Sequence, residues 1–437
     1  PNRTTVANTS FNVIHNGAAD FTIGVNLSNA SSSAPVQLVK SGAGRLILTG
    51  PNGYTGGTTI NAGTIQVGDG NDYGNLGSGS ITNNGLLVLN RTGDIVLAGA
   101  VSGAGAIELI ADGKLIVGNA GNTYSGGTTV NAGTLTFSTG LENFGTGDLS
   151  FDGGGFEWAT GSTADLSDRT VNVGSNGIRL NPNGNAVTLA NPIGSGSVGG
   201  LTLFGNGQLT ISAANTFSGP NEVTAGTLLV ANSTGSALGS GTINVASGAT
   251  LGGSGSLAGA VAMNDGSTLA PGASVGTLSV GGLTLSGTPS LIWEFASSPT
   301  PANDLVVVDP TGALTIDGGS MSLLAAGSTD PFGTVGTYNL FQLSGSVQGA
   351  GVDSLTVANP VLGRGYAFAE SGGFVTLTIT SAGDISQWNI DGNGSWSTAG
   401  NWTGGVPDST TAIPVFGDKI LSRVVFWGLN QTALCRT

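Results

Sequence analysis

Basic residues are scarce in this 437-residue sequence: 11 Lys plus Arg stand against 25 Asp plus Glu, a formal net charge of −14. A nucleic-acid binder needs a cationic face to displace counterions from phosphate, and so few cations assemble none. Docking on an anionic membrane surface is disfavoured for the same reason. The single cysteine, Cys435, permits no internal disulfide. His15 is the only histidine, so a Ser–His–Asp or Cys–His arrangement would have to use it, and no G-x-S-x-G motif supports one. One His and one Cys are likewise too few for a zinc site. No run of 18 apolar residues predicts a transmembrane helix. No signal-peptide pattern follows Pro1, and the chain reads as a fragment or processed form. Sustained i, i+3, i+4 apolar spacing with capping residues is missing too, which excludes a largely helical fold.

Glycine is abundant, at 78 residues, and charged residues make up 8%. Mean hydropathy is +0.22, the reverse of the disordered type, which needs low hydrophobicity and high charge. Short β-branched runs punctuated by Gly, Thr, Ser and Asn predict an all-β chain with many tight turns.

The chain repeats itself. "YTGGTTINAGTIQV" at 54–67 returns as "YSGGTTVNAGTLTF" at 124–137, and an eroded copy, "FSGPNEVTAGTLLV", begins at Phe217. Each copy is preceded by a small predicted strand: Arg45-Leu46-Ile47-Leu48, Lys114-Leu115-Ile116-Val117 and Gln208-Leu209-Thr210-Ile211. In each, the apolar second and fourth residues share one face, because strand side chains alternate. Each copy is also followed by a second motif, "NLGSGSI", "FGTGDL" or "ALGSGTI", ending at Ile81, Leu149 and Ile243. Strands of four to six residues broken by Gly and Asn-Ala-Gly corners, repeated along the chain, predict a solenoid rather than a sandwich, barrel or propeller. The expected fold is a right-handed parallel β-helix with coils of about 20–45 residues, making a rod on the order of 50–100 Å long. Within the repeat, Gly56-Gly57 and Ala62-Gly63 are expected corners, Ile60, Ile65 and Val67 core, and Gln66 solvent-facing.

"KSGAGRLILTGPNGYTGGTTINAGTIQVG" (Lys40–Gly68) resembles the autotransporter-associated β-strand repeat of bacterial type V secreted proteins. "ATLGGSGSLAGAVAMNDGSTLAPGASVGTLSVGGLTLS" (Ala249–Ser286) and "NDLVVVDPTGALTIDGGSMSLL" (Asn303–Leu324) resemble late passenger regions. The resemblance implies a β-helical, secreted or surface-displayed passenger without catalytic residues, supporting export and presenting loops for adhesion. Its implied partners are the secretion machinery and a cell-surface or extracellular glycan or protein ligand. No membrane-barrel pattern is present, so direct membrane insertion of this stretch is not expected. The expected organisation is the start of a β-helix, truncated at its N-terminus, over 1–38, and a repeat array over 39–251 with copies near 40–68, 109–137 and 201–230. A later passenger-like β-helix follows over 252–382, then the start of another array with a truncated tail over 383–437.

Four groups of residues carry alternative readings. Asp148 and Asp152, with Glu157 close behind, have the spacing of an acid–base pair on one strand face, which would make a β-helical polysaccharide lyase or hydrolase. Asp165 and Asp168 are a second pair with no stronger claim, and scattered solubilising acids on a solenoid explain both pairs more simply. Oxygen side chains two apart in "GDGND" (68–72) and "DGNGS" (391–395) are compatible with calcium loops, but lack a distal bidentate acid and read as turns. Trp388, Trp396 and Trp402 would stack on sugars if exposed, giving a glycan-binding adhesin, or cap a new array if buried. Thr58-Thr59 and Thr128-Thr129 occur twice only, too few for an ice-binding face. The expectation is therefore no catalytic residue, no cofactor and no metal.

Overall fold

The computed structural model describes residues 10–31, 34–272, 274–296, 303–381, 385–388, 397–403, 406 and 413–415. Parallel strands stack into a β-solenoid of about 12 turns, with short 3-10 turns as the helical elements among these residues. At ~4.8 Å per stacked strand the rod is roughly 60 Å long.

Period-2 patterning makes the strands. In Arg45–Leu48, Lys114–Val117 and Gln208–Ile211 the second and fourth side chains are buried and the others lie outward. The corners follow from glycine. Gly63, Gly133 and Gly226 end the three Ala-Gly turns at φ of 70°, 64° and 73°, a left-handed backbone that a side chain would strain. Strand length is set between such corners, so the repeat strands are shorter than expected: Thr58–Ile60, Thr128–Val130 and Asn221–Val223 have three residues each.

Registry fixes the coil. Leu46 pairs with Ile65, Ile65 with Leu87, Leu87 with Ile107 and Ile107 with Thr128, steps of 19–22 residues. The stacked apolar residues form one continuous core from Val36 to Ile379. Where the 138–170 loops widen the coil, Phe137, Phe144, Phe156 and Trp158 fill the space with edge-to-face and stacked contacts of 4.8–5.9 Å.

A coil of about 21 residues does not divide the 70 residues between Tyr54 and Tyr124, so the copies are not superposed along the rod. Arg45–Leu48 lies in an 8-stranded sheet, Lys114–Val117 in a 16-stranded sheet and Gln208–Ile211 in a second 8-stranded sheet. Each copy is displaced to a different face. Thr58–Ile60 and Thr128–Val130 therefore fall in different sheets, and no threonine face is built.

One expectation is corrected. Gln66 does not face water; it is 5% exposed. Its Nε2 donates to the Gly68 carbonyl at 2.8 Å, and its Oε1 accepts from Arg45 Nη1 at 3.3 Å. The side chain is on the outer face, but the arginine of the preceding coil lies over it.

Later strands lengthen, as in Ser256–Met263 and Thr277–Leu285. The parallel stack then ends in an antiparallel unit: Phe374–Ser381 pairs antiparallel with both Gly336–Gln342 and Arg364–Ser371. The hairpin ends the 16-stranded sheet, with Arg364–Ser371 as its last strand. Ile385–Trp388, Trp402–Thr403 and Ile413–Val415 form a separate 3-stranded sheet.

Candidate functional site

The repeat's polar residues are built into the stack. An asparagine lies two residues before each repeat aromatic: Asn52, Asn122 and Asn215. All three are buried. The Oδ1 atoms accept the backbone amides of Leu27, Val101 and Ile193 at 2.9, 2.6 and 2.8 Å. The Nδ2 atoms donate to the carbonyls of Asn75, Asn143 and Ala237 at 2.8, 2.6 and 2.7 Å. Each asparagine thus bridges the coil before it and the coil after it, on the side of the coil where the chain turns irregular and no strand ladder does that work. These residues were not recognised from the sequence. The signal was there, since the asparagine recurs in all three copies, but an alignment that starts at the aromatic excludes it.

The aromatic itself completes the rung. Tyr54 and Tyr124 are fully buried, and their hydroxyls lie 2.8 and 2.7 Å from Thr58 and Thr128 Oγ1. Burial pushes the Tyr54 phenol up, and Tyr124 up to about 12, so both keep their protons near neutrality. The third copy has Phe217, with no hydroxyl, and the threonine's position holds Asn221. Asn221 instead accepts from the Leu201 amide at 2.9 Å and donates to Leu238 O at 3.3 Å.

The second motif is the next coil's lid on the first. Ser78, Thr146 and Ser240 donate their amides to the Tyr54, Tyr124 and Phe217 carbonyls, each at 2.9 Å. A Cβ at the preceding Gly77, Gly145 or Gly239 would collide with those same carbonyls. The two motifs follow one another in sequence because they stack one coil apart.

The sequence-derived candidates are dispersed. His15 Nε2 lies 2.6 Å from the Ala19 carbonyl, with the ring beside Phe21. Asp148 and Asp152 flank the strand Leu149–Phe151, whereas Glu157 belongs to a different sheet. All three carboxylates make structural bonds. Asp148 accepts from Asn172 Nδ2 at 3.3 Å and Asp152 from the Asn176 amide at 2.7 Å. Glu157 pairs with Lys114 at 2.8 Å and accepts from Asn181 at 3.0 Å. Asp165 caps a 3-10 turn through the Ser167 amide, and Asp168 accepts from Asn191.

In the 68–72 turn Asp69 engages Asn71, and Asp72 pairs with Arg91 at 2.9 Å. Among the described residues no three His, Cys, Asp or Glu side chains gather as a metal site would need. The 391–395 stretch, Trp396 and Cys435 lie outside the described residues. Trp388 and Trp402 are each 5% exposed and pack edge-to-face at 4.9 Å, so neither presents a ring face to a sugar.

Residues 38–67, 112–137 and 201–230 match the passenger-associated-transport-repeat. These three copies of the repeat are of the passenger-associated-transport type. The three matched stretches hold the small strands and the Tyr–Thr or Phe–Asn pairs described above. A stretch of 133 residues is 33% identical to the adhesin BmaC autotransporter of Brucella suis biovar 1 (strain 1330), covering 26% of this chain and 4% of that protein. The passenger-repeat chain therefore spans a small part of that relative's length. The crystal structure of the Haemophilus influenzae Hap adhesin aligns over 85% of this chain and 46% of its own, at 12% identity and a TM-score of 0.31.

Proposed function

We propose that this chain is a non-catalytic segment of a surface-displayed or secreted bacterial passenger, working as a rod that stacks during export and presents its loops for adhesion. The observation that carries this reading is the use of the repeat's polar residues: Asn52, Asn122 and Asn215 each tie three consecutive coils. Nearest-neighbour bonding of this kind lets a solenoid grow coil by coil from one end. A chain emerging unfolded on the far side of a membrane would be drawn forward as each coil closes on the last. The secretion machinery is its transient partner, and the loops face a cell-surface or extracellular ligand.

The adhesive part of the proposal draws on the relative named an adhesin. A sugar platform at Trp388 and Trp402 is not favoured, because the two rings cover one another. Catalysis at Asp148 and Asp152 is disfavoured by their ties to neighbouring coils.

The test is export. The chain is placed between a signal peptide and an outer-membrane barrel, and surface exposure is read by external protease. Wild type is expected to reach the surface as a protease-resistant rod, whereas the triple variant Asn52→Ala, Asn122→Ala, Asn215→Ala stalls in the periplasm. Equal export of the two chains would sink the folding-assisted mechanism. Turnover of any polysaccharide that Asp148→Asn abolishes would sink the non-catalytic reading.

A further inference from the structure

The wall of the rod opens into a cleft of about 420 Å3 between Asn75–Gly79 and the following coil's Asp94–Gly99, with Val67, Ile81 and Leu89 among its apolar lining. That volume is within the range of ligand sites. The strand Ile95–Leu97 begins the 16-stranded sheet: it pairs with Lys114–Val117 on one side and is the sheet's edge on the other. Gly118 donates to the Leu97 carbonyl at 3.0 Å, so Leu97 turns its peptide groups toward the sheet. Alternation then turns the N–H and C=O of Val96 the other way, off the paired side. Val96 is also 59% exposed, and Asp94 beside it makes no ion pair among the described residues.

Two residues lining the cleft each hold a buried polar atom without a partner. Arg91 spans the gap between coils, with Nη1 on the Gly74 carbonyl at 2.7 Å and Nη2 on Asp72 Oδ1 at 2.9 Å, but its buried Nε has no partner. Asn75 Oδ1 is buried without one as well. Asn143 receives the rung from Asn122 just as Asn75 receives it from Asn52, yet its Oδ1 accepts from the Gly140 amide at 2.9 Å. There the unpartnered buried atom is Nδ2 instead.

We propose that the cleft docks an extended peptide, which adds one strand to the free edge of Ile95–Leu97. The outward N–H and C=O of Val96 ask for a carbonyl and an N–H in turn, which a peptide strand supplies; a carboxylate answers only the first and an ammonium only the second. No aromatic ring is among the residues lining the cleft, so the platform that commonly holds a sugar is missing. The occupant is apolar where it meets Val96 and basic where it meets Asp94. With about 10 Å of edge to pair, it engages three or four residues. The inference is independent of the passenger reading: a failed titration leaves the export mechanism untouched, and failed export leaves the titration unchanged.

The probe is acetyl-Lys-Val-Thr-Val-Lys-amide, titrated into the full chain while amide exchange is followed at residues 94–99. In the free protein the Val96 amide exchanges much faster than the Leu97 amide; with saturating probe it slows at least tenfold. N-methylating the probe along the edge that meets Val96 abolishes this protection, whereas methylation of the opposite edge preserves it. Val96→Pro, an edge substitution that removes only the outward N–H, also abolishes it; should that variant misfold, the paired N-methyl probes decide on wild type alone. The proposal is overturned if the Val96 amide is already as slow as Leu97, if no protection develops, if both methylated probes protect equally, or if an oligosaccharide panel protects 94–99 in the peptide's place.

Discussion

The Tyr54 hydroxyl and Thr58 Oγ1 meet at 2.8 Å inside the core, a contact that helps both hydroxyls to be buried. The pair recurs at Tyr124 and Thr128, and where the aromatic becomes Phe217 the threonine's position becomes Asn221. A buried hydroxyl without a partner costs about 1–3 kcal/mol, so the two positions are energetically coupled.

That coupling is measurable by a double-mutant cycle. Tyr54→Phe alone should destabilise the neighbouring coils by about 1–2 kcal/mol, because Thr58 is left unpaired. Tyr54→Phe with Thr58→Val should recover much of the loss, since neither hydroxyl remains. Additive effects of the two substitutions, read by local amide exchange, would refute the coupling.

Asn122 predicts a larger local effect. Asn122→Ala leaves the Val101 amide and the Asn143 carbonyl unsatisfied, a loss of about 2–4 kcal/mol. Exchange at Val101 should accelerate on the order of 30-fold or more. Asn122→Asp keeps the acceptor and loses the donor, so it should protect Val101 better than alanine does.

Arg169 holds a loop through its fork of donors. Nη1 donates to the Leu141 and Gly145 carbonyls at 3.0 and 2.9 Å, and Nη2 to those of Phe144 and Gly147. Lysine is a point charge without that planar fork. Arg169→Lys should speed proteolytic cleavage within 141–147 several-fold while leaving cleavage around 45–67 unchanged. Uniform acceleration along the chain would point to global destabilisation instead.

Asp304 gives the rod a pH dependence. It is 1% exposed, and burial pushes its carboxyl up to about 7 despite amide bonds from Glu294 at 2.7 Å and Gly276 at 2.9 Å. A carboxyl whose folded pKa exceeds its unfolded value binds a proton on folding between roughly pH 4 and pH 7. Its stabilising contribution is fully present below the unfolded pKa and is lost as pH rises through about 7. The Tm should therefore be a few degrees higher at pH 5.5 than at pH 8. In Asp304→Asn that difference should shrink or vanish, which thermal scans of both chains at the two pH values will check.

Core positions were legible in the sequence wherever their cause was local. Leu46 and Leu48, or Leu115 and Val117, are buried because alternation in a short strand puts them on one face. Gly63 and Gly133 were readable as corners because the turn demands a left-handed residue. Gln66 was misread because its cover comes from Arg45, a coil earlier and distant in the chain. The rung asparagines were missed for a related reason. An asparagine in "PNGY" has the composition of a turn, and only stacking reveals its second and third coils.

By itself, then, the sequence determined the class of fold, the corners and the inward faces, all consequences of period-2 alternation and glycine placement within a few residues, while the passenger repeat was readable as a resemblance. Tertiary structure alone decided the coil length, and with it the displacement of each repeat copy to a different face. It also brought each second motif over the aromatic of the coil before it and left one sheet edge open at Val96. These are relations between coils, set by how far the chain travels before it returns. No local pattern records that distance, because it is the sum of every corner and loop in the turn.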